Sequence, residues 1–136
     1  MKAREVMTGT VHAFTPDTPV GTAAEYLTSH GYTAAPVTSA NGNLIGIVTA
    51  TDLATATGTA MRRRQRRRLH RHPAPPSVRD LMITPVESMT SGADITHIVD
   101  MMLDKNIDWL PIVDGHTIVG VITPAELFRA ANPPIH

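Results

Sequence analysis

The chain has 136 residues, 42% of them apolar, no cysteine and a formal net charge of +0. That suffices for one ordinary domain or for two small halves sharing a core, and the lack of thiols excludes a disulfide framework, a cysteine nucleophile and a thiolate metal site. No run approaches the roughly 18 apolar residues of a membrane span, and the start MKAREVMTGT lacks the apolar centre of a secretory signal, so the sequence reads as cytoplasmic.

The chain repeats itself. A shift of 75 residues lays Arg4, Met7, Val11 and Thr15 on Arg79, Met82, Val86 and Thr90, and Pro36-Val37 on Pro111-Ile112. Past a turn the shift becomes 74, and Gly46, Thr49, Leu53 and Ala56 fall on Gly120, Thr123, Leu127 and Ala130. The sequence divides into copy 1 (1–60), a basic, Pro-rich linker (61–77) and copy 2 (78–136).

In chain order, Val11 to Phe14 is a short β-prone run closed by the turn residues Pro16-Asp17. A helix follows, with Thr18 expected as its N-cap, Pro19 at its first position, an apolar stripe of Val20, Ala23, Ala24 and Leu27, and a left-handed end at Gly31. Ala35 to Thr38 and Leu44 to Thr49 read as strands of a hairpin turned by Asn41-Gly42. A second helix is predicted after Thr49. Its extension into Met61–Ser77 is weakened by Thr55, Thr57, Gly58 and Thr59, so an exposed frayed helix or disorder is expected there, passing into a Pro-rich extended linker.

Copy 2 repeats the order: Val86 to Met89, the turn Ser91-Gly92, a helix striped by Ile95, Ile98, Val99 and Met102 with Asn106 in place of Gly31, then Trp109 to Val113, Asp114-Gly115, Thr117 to Thr123 and a last helix. Neither copy has enough apolar surface to stand comfortably alone, so the two are expected to pack face to face.

Two copies of one phrase carry the chemistry: Gly46-Ile-Val-Thr-Ala-Thr-Asp52 and Gly120-Val-Ile-Thr-Pro-Ala-Glu126. Each ends a strand and opens a helix, where unpaired amides and the helix dipole favour an anion. A threonine hydroxyl adds a donor, and a carboxylate one turn in accepts from a pair of vicinal hydroxyls. The same pattern is also a capping box, which needs no ligand. Thr123-Pro124-Ala125-Glu126 suits the box better, because glutamate has the length for the back-bond and proline takes the favoured first position. Thr49-Ala50-Thr51-Asp52 suits it less and has a spare hydroxyl on Thr51.

With Val6-Met7-Thr8 and Leu81-Met82-Ile83-Thr84-Pro85 opening the copies, and Ala-Pro-Val or Leu-Pro-Ile starting each hairpin, the chain resembles a stand-alone pair of CBS (cystathionine-β-synthase) domains, a Bateman module. The resemblance covers nearly everything outside the basic run. It implies an α+β fold of two β-α-β-β-α repeats whose sheets pack as an intramolecular pseudo-dimer. It also implies homodimers shaped as a disc, and clefts binding adenosine-type ligands: AMP, ADP, ATP, S-adenosylmethionine or an NAD-type molecule. By the family's cross-over arrangement, the first cleft combines Thr49, Thr51, Asp52, Thr33 and Ala34 with Thr84, Pro85 and Val86. The second combines Thr123, Glu126, Asp108 and Trp109 with Thr10 and Val11. Glu126 departs from the family's aspartate, so the first cleft is expected to keep the nucleoside site and the second to have drifted toward a self-satisfied helix start. Trp109 either stacks on a base or fills its cleft or an interface.

Seven of the twelve basic residues lie between Arg62 and Arg71. Arg62, Arg63, Arg64, Arg66, Arg67 and Arg68 read as a solvated linker, as phosphate clamps over the first cleft, or as a patch for nucleic acid or an acidic partner. No interleaved aromatics support the last reading. His70-x-His72 sits among arginines that repel a cation, so no metal site is expected. No nucleophile elbow, phosphate loop or zinc motif occurs, and Ser29, Ser39, Ser77, Ser88 and Ser91 lack a recognisable base. The expectation is a non-enzymatic regulatory module that requires no cofactor. Its rival is a ligand-free interaction protein that uses the arginines.

Overall fold

A computed structural model describes residues 1–9, 12–57 and 76–131. They form α1 (Ala3–Val6), α2 (Val20–His30), β1 (Ala34–Thr38), β2 (Leu44–Thr49), α3 (residues 50–57), a 3-10 turn (Val78–Asp80), α4 (Ile95–Asp104), β3 (Leu110–Asp114), β4 (Thr117–Ile122) and α5 (Pro124–Ala131). Thr10, Val11 and the arginine run fall outside the described residues.

Both central helices follow the apolar spacing. Val20, Ala23 and Leu27 of α2 and Ile98 and Met102 of α4 are buried. Both helices end in the left-handed region, at Gly31 (φ 67°) and Asn106 (φ 53°). The start of α2 differs from expectation. Pro19, extended at φ −62° and ψ 142°, is the N-cap, and Thr18 lies outside the helix. The Thr18 hydroxyl instead accepts the Thr15 amide (3.1 Å), and its carbonyl accepts the Val78 amide (2.8 Å), so a turn and a longer-range contact claim Thr18 before the helix can.

Each hairpin forms its own two-stranded sheet, β1 with β2 and β3 with β4. In the second, Asp114 still pairs with Thr117, so the turn is Gly115-His116 rather than Asp114-Gly115, with positive φ at Gly115 (65°). Each hairpin is bridged on both flanks in the same way. Phe14 pairs in parallel with Val37, and Met89 with Ile112, so among the described residues the expected lead strands are single bridges. On the far side, Ile83 pairs antiparallel with Ile47 (2.7 and 3.2 Å), and Thr8 with Val121 (2.9 and 3.1 Å).

These last pairings are exchanged between the copies. One compact unit gathers Met1–Val11, Gly42–Leu44 and Glu87–His136, the other His12–Asn41 and Ile45–Val86. Ala3, fully buried, joins the core of Ile98, Met102, Leu110, Ile112 and Ile122. Val78, also fully buried, joins the core of Phe14, Val20, Leu27, Val37, Val48 and Leu53. Each fully buried leucine or isoleucine of these cores stabilises its unit by about 1.5–3 kcal/mol. The glycines that open the repeated phrase serve the same exchange. A Cβ on Gly46 would meet the Met82 sulfur at 2.9 Å, and one on Gly120 would meet the Met7 sulfur at 2.6 Å and the Thr8 carbonyl at 2.8 Å.

The Asp52 unit also holds a stack of four rings. His12 and His30 stack on opposite sides in the order His12, Tyr26, His30, with ring centroids 4.2 and 4.1 Å apart, and Tyr32 continues the stack from His30 at 5.4 Å. The shift of 75 puts Glu87, Met101, Lys105 and Ile107 at these positions in copy 2, where Lys105 and Glu87 form an exposed ion pair of 3.9 Å.

Candidate functional site

The two phrases produce two different helix starts. At the end of β2, the Thr49 hydroxyl accepts the Asp52 amide (3.2 Å), capping α3. The Ala50 amide is donated to the Thr33 carbonyl (2.8 Å), which ties the start of the hairpin to the start of the helix. Asp52 is half-buried, and its carboxylate makes no hydrogen bond or ion pair among the described residues. An acceptor-only group and a hydroxyl whose proton goes to no described residue thus stand together beside a helix N-terminus.

All eight residues expected in the first cleft lie in the same compact unit. Thr33 and Thr51 are exposed and Ala34 is buried. Thr84 and Pro85, joined by a cis peptide bond, are exposed, and Val86 is half-buried. The pairing of Ile83 with Ile47 brings their segment to β2, and no hydrogen bond among the described residues joins Thr84, Pro85 or Val86 to Thr49 or Asp52.

At the end of β4 the polar groups are spent on one another. Glu126 is only 7% exposed. One carboxylate oxygen accepts the Thr8 hydroxyl (2.7 Å), and the other accepts the Thr123 amide (3.2 Å) and the Thr123 hydroxyl. Arg129 approaches the first oxygen at 3.8 Å. Burial pushes the Glu126 carboxyl up, but the hydrogen bonds from Thr123 and Thr8 outweigh it and hold the group below the ordinary glutamate value. Asp108 is exposed, and Trp109 is half-buried without a ring partner among the described residues.

The contribution of Thr8 escaped the sequence reading, although the signal existed. The shift of 75 lays Thr8 on Ile83, so the donor that reaches Glu126 has an apolar counterpart at the Asp52 site. Among the described residues no group of three His, Cys, Asp or Glu side chains is placed to hold a metal, and no helix is long and apolar enough to cross a membrane.

The CBS domain family model matches residues 3–58 and 78–132. An uncharacterized protein of Methanopyrus kandleri is 26% identical over 130 residues, 93% of this chain; the chain spans 58% of that curated relative's length. Among solved structures, CBSX2 in complex with AMP superposes with a TM-score of 0.79 at 24% identity, covering 96% of this chain and 95% of that one. The CBS domain pair of protein MJ0100, in complex with 5′-methylthioadenosine and S-adenosyl-L-methionine, gives 0.78 at 20% identity, again covering 96% and 95%. At these identities the likeness establishes the fold.

Proposed function

The chain belongs to the CBS domain family, and on that premise we propose that it is a non-enzymatic regulatory module that binds an adenosine-containing ligand at the Asp52 site. The observation that carries the reading is the half-buried Asp52 carboxylate, one turn into α3 beside the capping Thr49, with no protein partner among the described residues. Burying part of a carboxylate without a partner is unfavourable, and a ribose diol that donates to both oxygens would offset that cost. The Ala50 and Asp52 amides already have protein partners, but the dipole at the start of α3 still favours a phosphate or another electron-rich group. Support for the ligand class comes from fold relatives crystallised with AMP and with 5′-methylthioadenosine and S-adenosyl-L-methionine.

Nothing in this arrangement calls for bond-breaking: a carboxylate, hydroxyls and amides recognise a nucleoside without activating it. Occupancy would act by favouring one of two arrangements of the chain, or of a homodimer, for which the ligand has different affinities. The test is a thermal melt with AMP, ADP, ATP, S-adenosylmethionine and NADH. A ligand at 100 times its Kd adds about 2.7 kcal/mol, a rise of about 10 °C for a chain of this size, and Asp52→Ala should remove it. No shift with any of the five, together with salt-sensitive retention on nucleic acid, would favour the rival reading, to which the clustering of Arg62 to Arg68 points.

A further inference from the structure

We propose that each chain takes a single adenosine ligand, because the Glu126 carboxylate closes the second site by engaging the polar groups that a ligand there would need. This rests on the reading of the Asp52 site. The two sites match position by position: Thr49 with Thr123, Asp52 with Glu126 and, on the segment crossing from the other copy, Ile83 with Thr8. In the first, among the described residues, Thr49 only accepts, from the Asp52 amide, and the Ile83 side chain has nothing to donate, so within them carboxylate and hydroxyl proton both remain for a ligand. In the second, Thr123 spends its hydroxyl proton on Glu126, and both Glu126 oxygens are engaged, by Thr8 on one side and by Thr123 on the other.

The extra methylene of glutamate is what makes this closure reach. Thr8 is itself fixed by two backbone hydrogen bonds to Val121, so the donor is held in place before any ligand arrives. A ribose entering this site would have to displace charge-assisted bonds to a buried carboxylate, which are among the stronger hydrogen bonds in proteins. At Asp52 it displaces none from the protein's described residues.

Isothermal titration with AMP, on the full chain, tests the assignment. The wild type should bind one AMP per chain, and Asp52→Ala should weaken that event at least tenfold. Asp52→Ala combined with Glu126→Asp should recover one AMP per chain, because the shorter carboxylate releases Thr8 and Thr123. Two AMP per wild-type chain, an unchanged event in Asp52→Ala, or no recovery in a double variant that circular dichroism shows to be folded would each overturn the proposal. Should the double variant not fold, Glu126→Asp alone should bind two AMP per chain, and a folded Glu126→Asp that binds one overturns the proposal equally. Silence from wild type and variants alike would instead sink the adenosine reading and this inference with it.

Discussion

Glu126 bears on stability as well as on ligand stoichiometry. Its folded pKa lies below the unfolded value of about 4.3. Its contribution is therefore full above that unfolded value and is lost as pH falls through the folded one. Glu126→Gln puts an amide group against one of the threonines and should cost about 1–3 kcal/mol at pH 7. The gap between wild-type and variant urea midpoints should stay constant from pH 7 to about pH 5 and narrow below pH 4; a gap that widens on acidification would contradict the hydrogen-bond account. Arg129, mostly exposed, should matter little, and Arg129→Ala is expected to move the midpoint by under about 0.5 kcal/mol. Sequence alone reached one half of the Thr123–Glu126 box, the Thr123 amide donated to Glu126, because both partners lie within one turn; in the other half the Glu126 amide takes the Thr123 carbonyl, and the hydroxyl donates to the carboxylate instead. It did not reach Thr8, because a contact across 118 positions has no local periodicity to announce it.

The repeated phrase begins with glycine for a reason that differs in degree between the copies. At Gly46 a new methyl group would press hardest on the Met82 sulfur, which can swing aside, and more lightly on the Met82 Cβ at 3.2 Å, which has to give slightly. At Gly120 it would also strike the Thr8 backbone carbonyl, which cannot. Gly120→Ala should therefore cost about 2–3 kcal/mol and Gly46→Ala about 1 kcal/mol in chemical denaturation; equal costs would mean that the methionines alone set the spacing. Helix ends, hairpins and apolar stripes were legible because each is written in adjacent residues: Gly31 and Asn106 take the left-handed positions their types favour. The short turns at Ala3–Val6 and Val78–Asp80 were not foreseen, although the Ser77-x-x-Asp80 spacing, with the Ser77 amide donated to Asp80 at 3.0 Å, was there to be read. The His12, Tyr26, His30 and Tyr32 stack was invisible for another reason. Only His30 and Tyr26 share a helix face, and the lead segment of copy 1 and the start of its hairpin supply the rest.

The sequence repeats and the compact units of the whole molecule do not coincide. Residues 78–86 open copy 2 yet pack with copy 1, and the first residues of the chain pack with copy 2. Duplication is visible in a sequence, but an exchange of segments between duplicates leaves the same pattern of apolar residues whichever partner receives them. Only the family resemblance suggested it. The exchange predicts how fragments behave. A polypeptide of residues 78–136 is a complete repeat, but it lacks fully buried Ala3, Met7 against Gly120, the Thr8 pairing with Val121 and the Thr8 hydroxyl on Glu126. It also carries Val78 without the core that buries it. Such a fragment should show no cooperative melt by circular dichroism or Trp109 fluorescence. Residues 1–11 joined to 87–136 through a Gly/Ser linker should regain one, since loop closure costs only a few kcal/mol against the buried contacts restored. If residues 78–136 alone melt cooperatively at the temperature of the full chain, the repeat rather than the exchanged unit is what folds, and the Thr8 contact to Glu126 is dispensable to it.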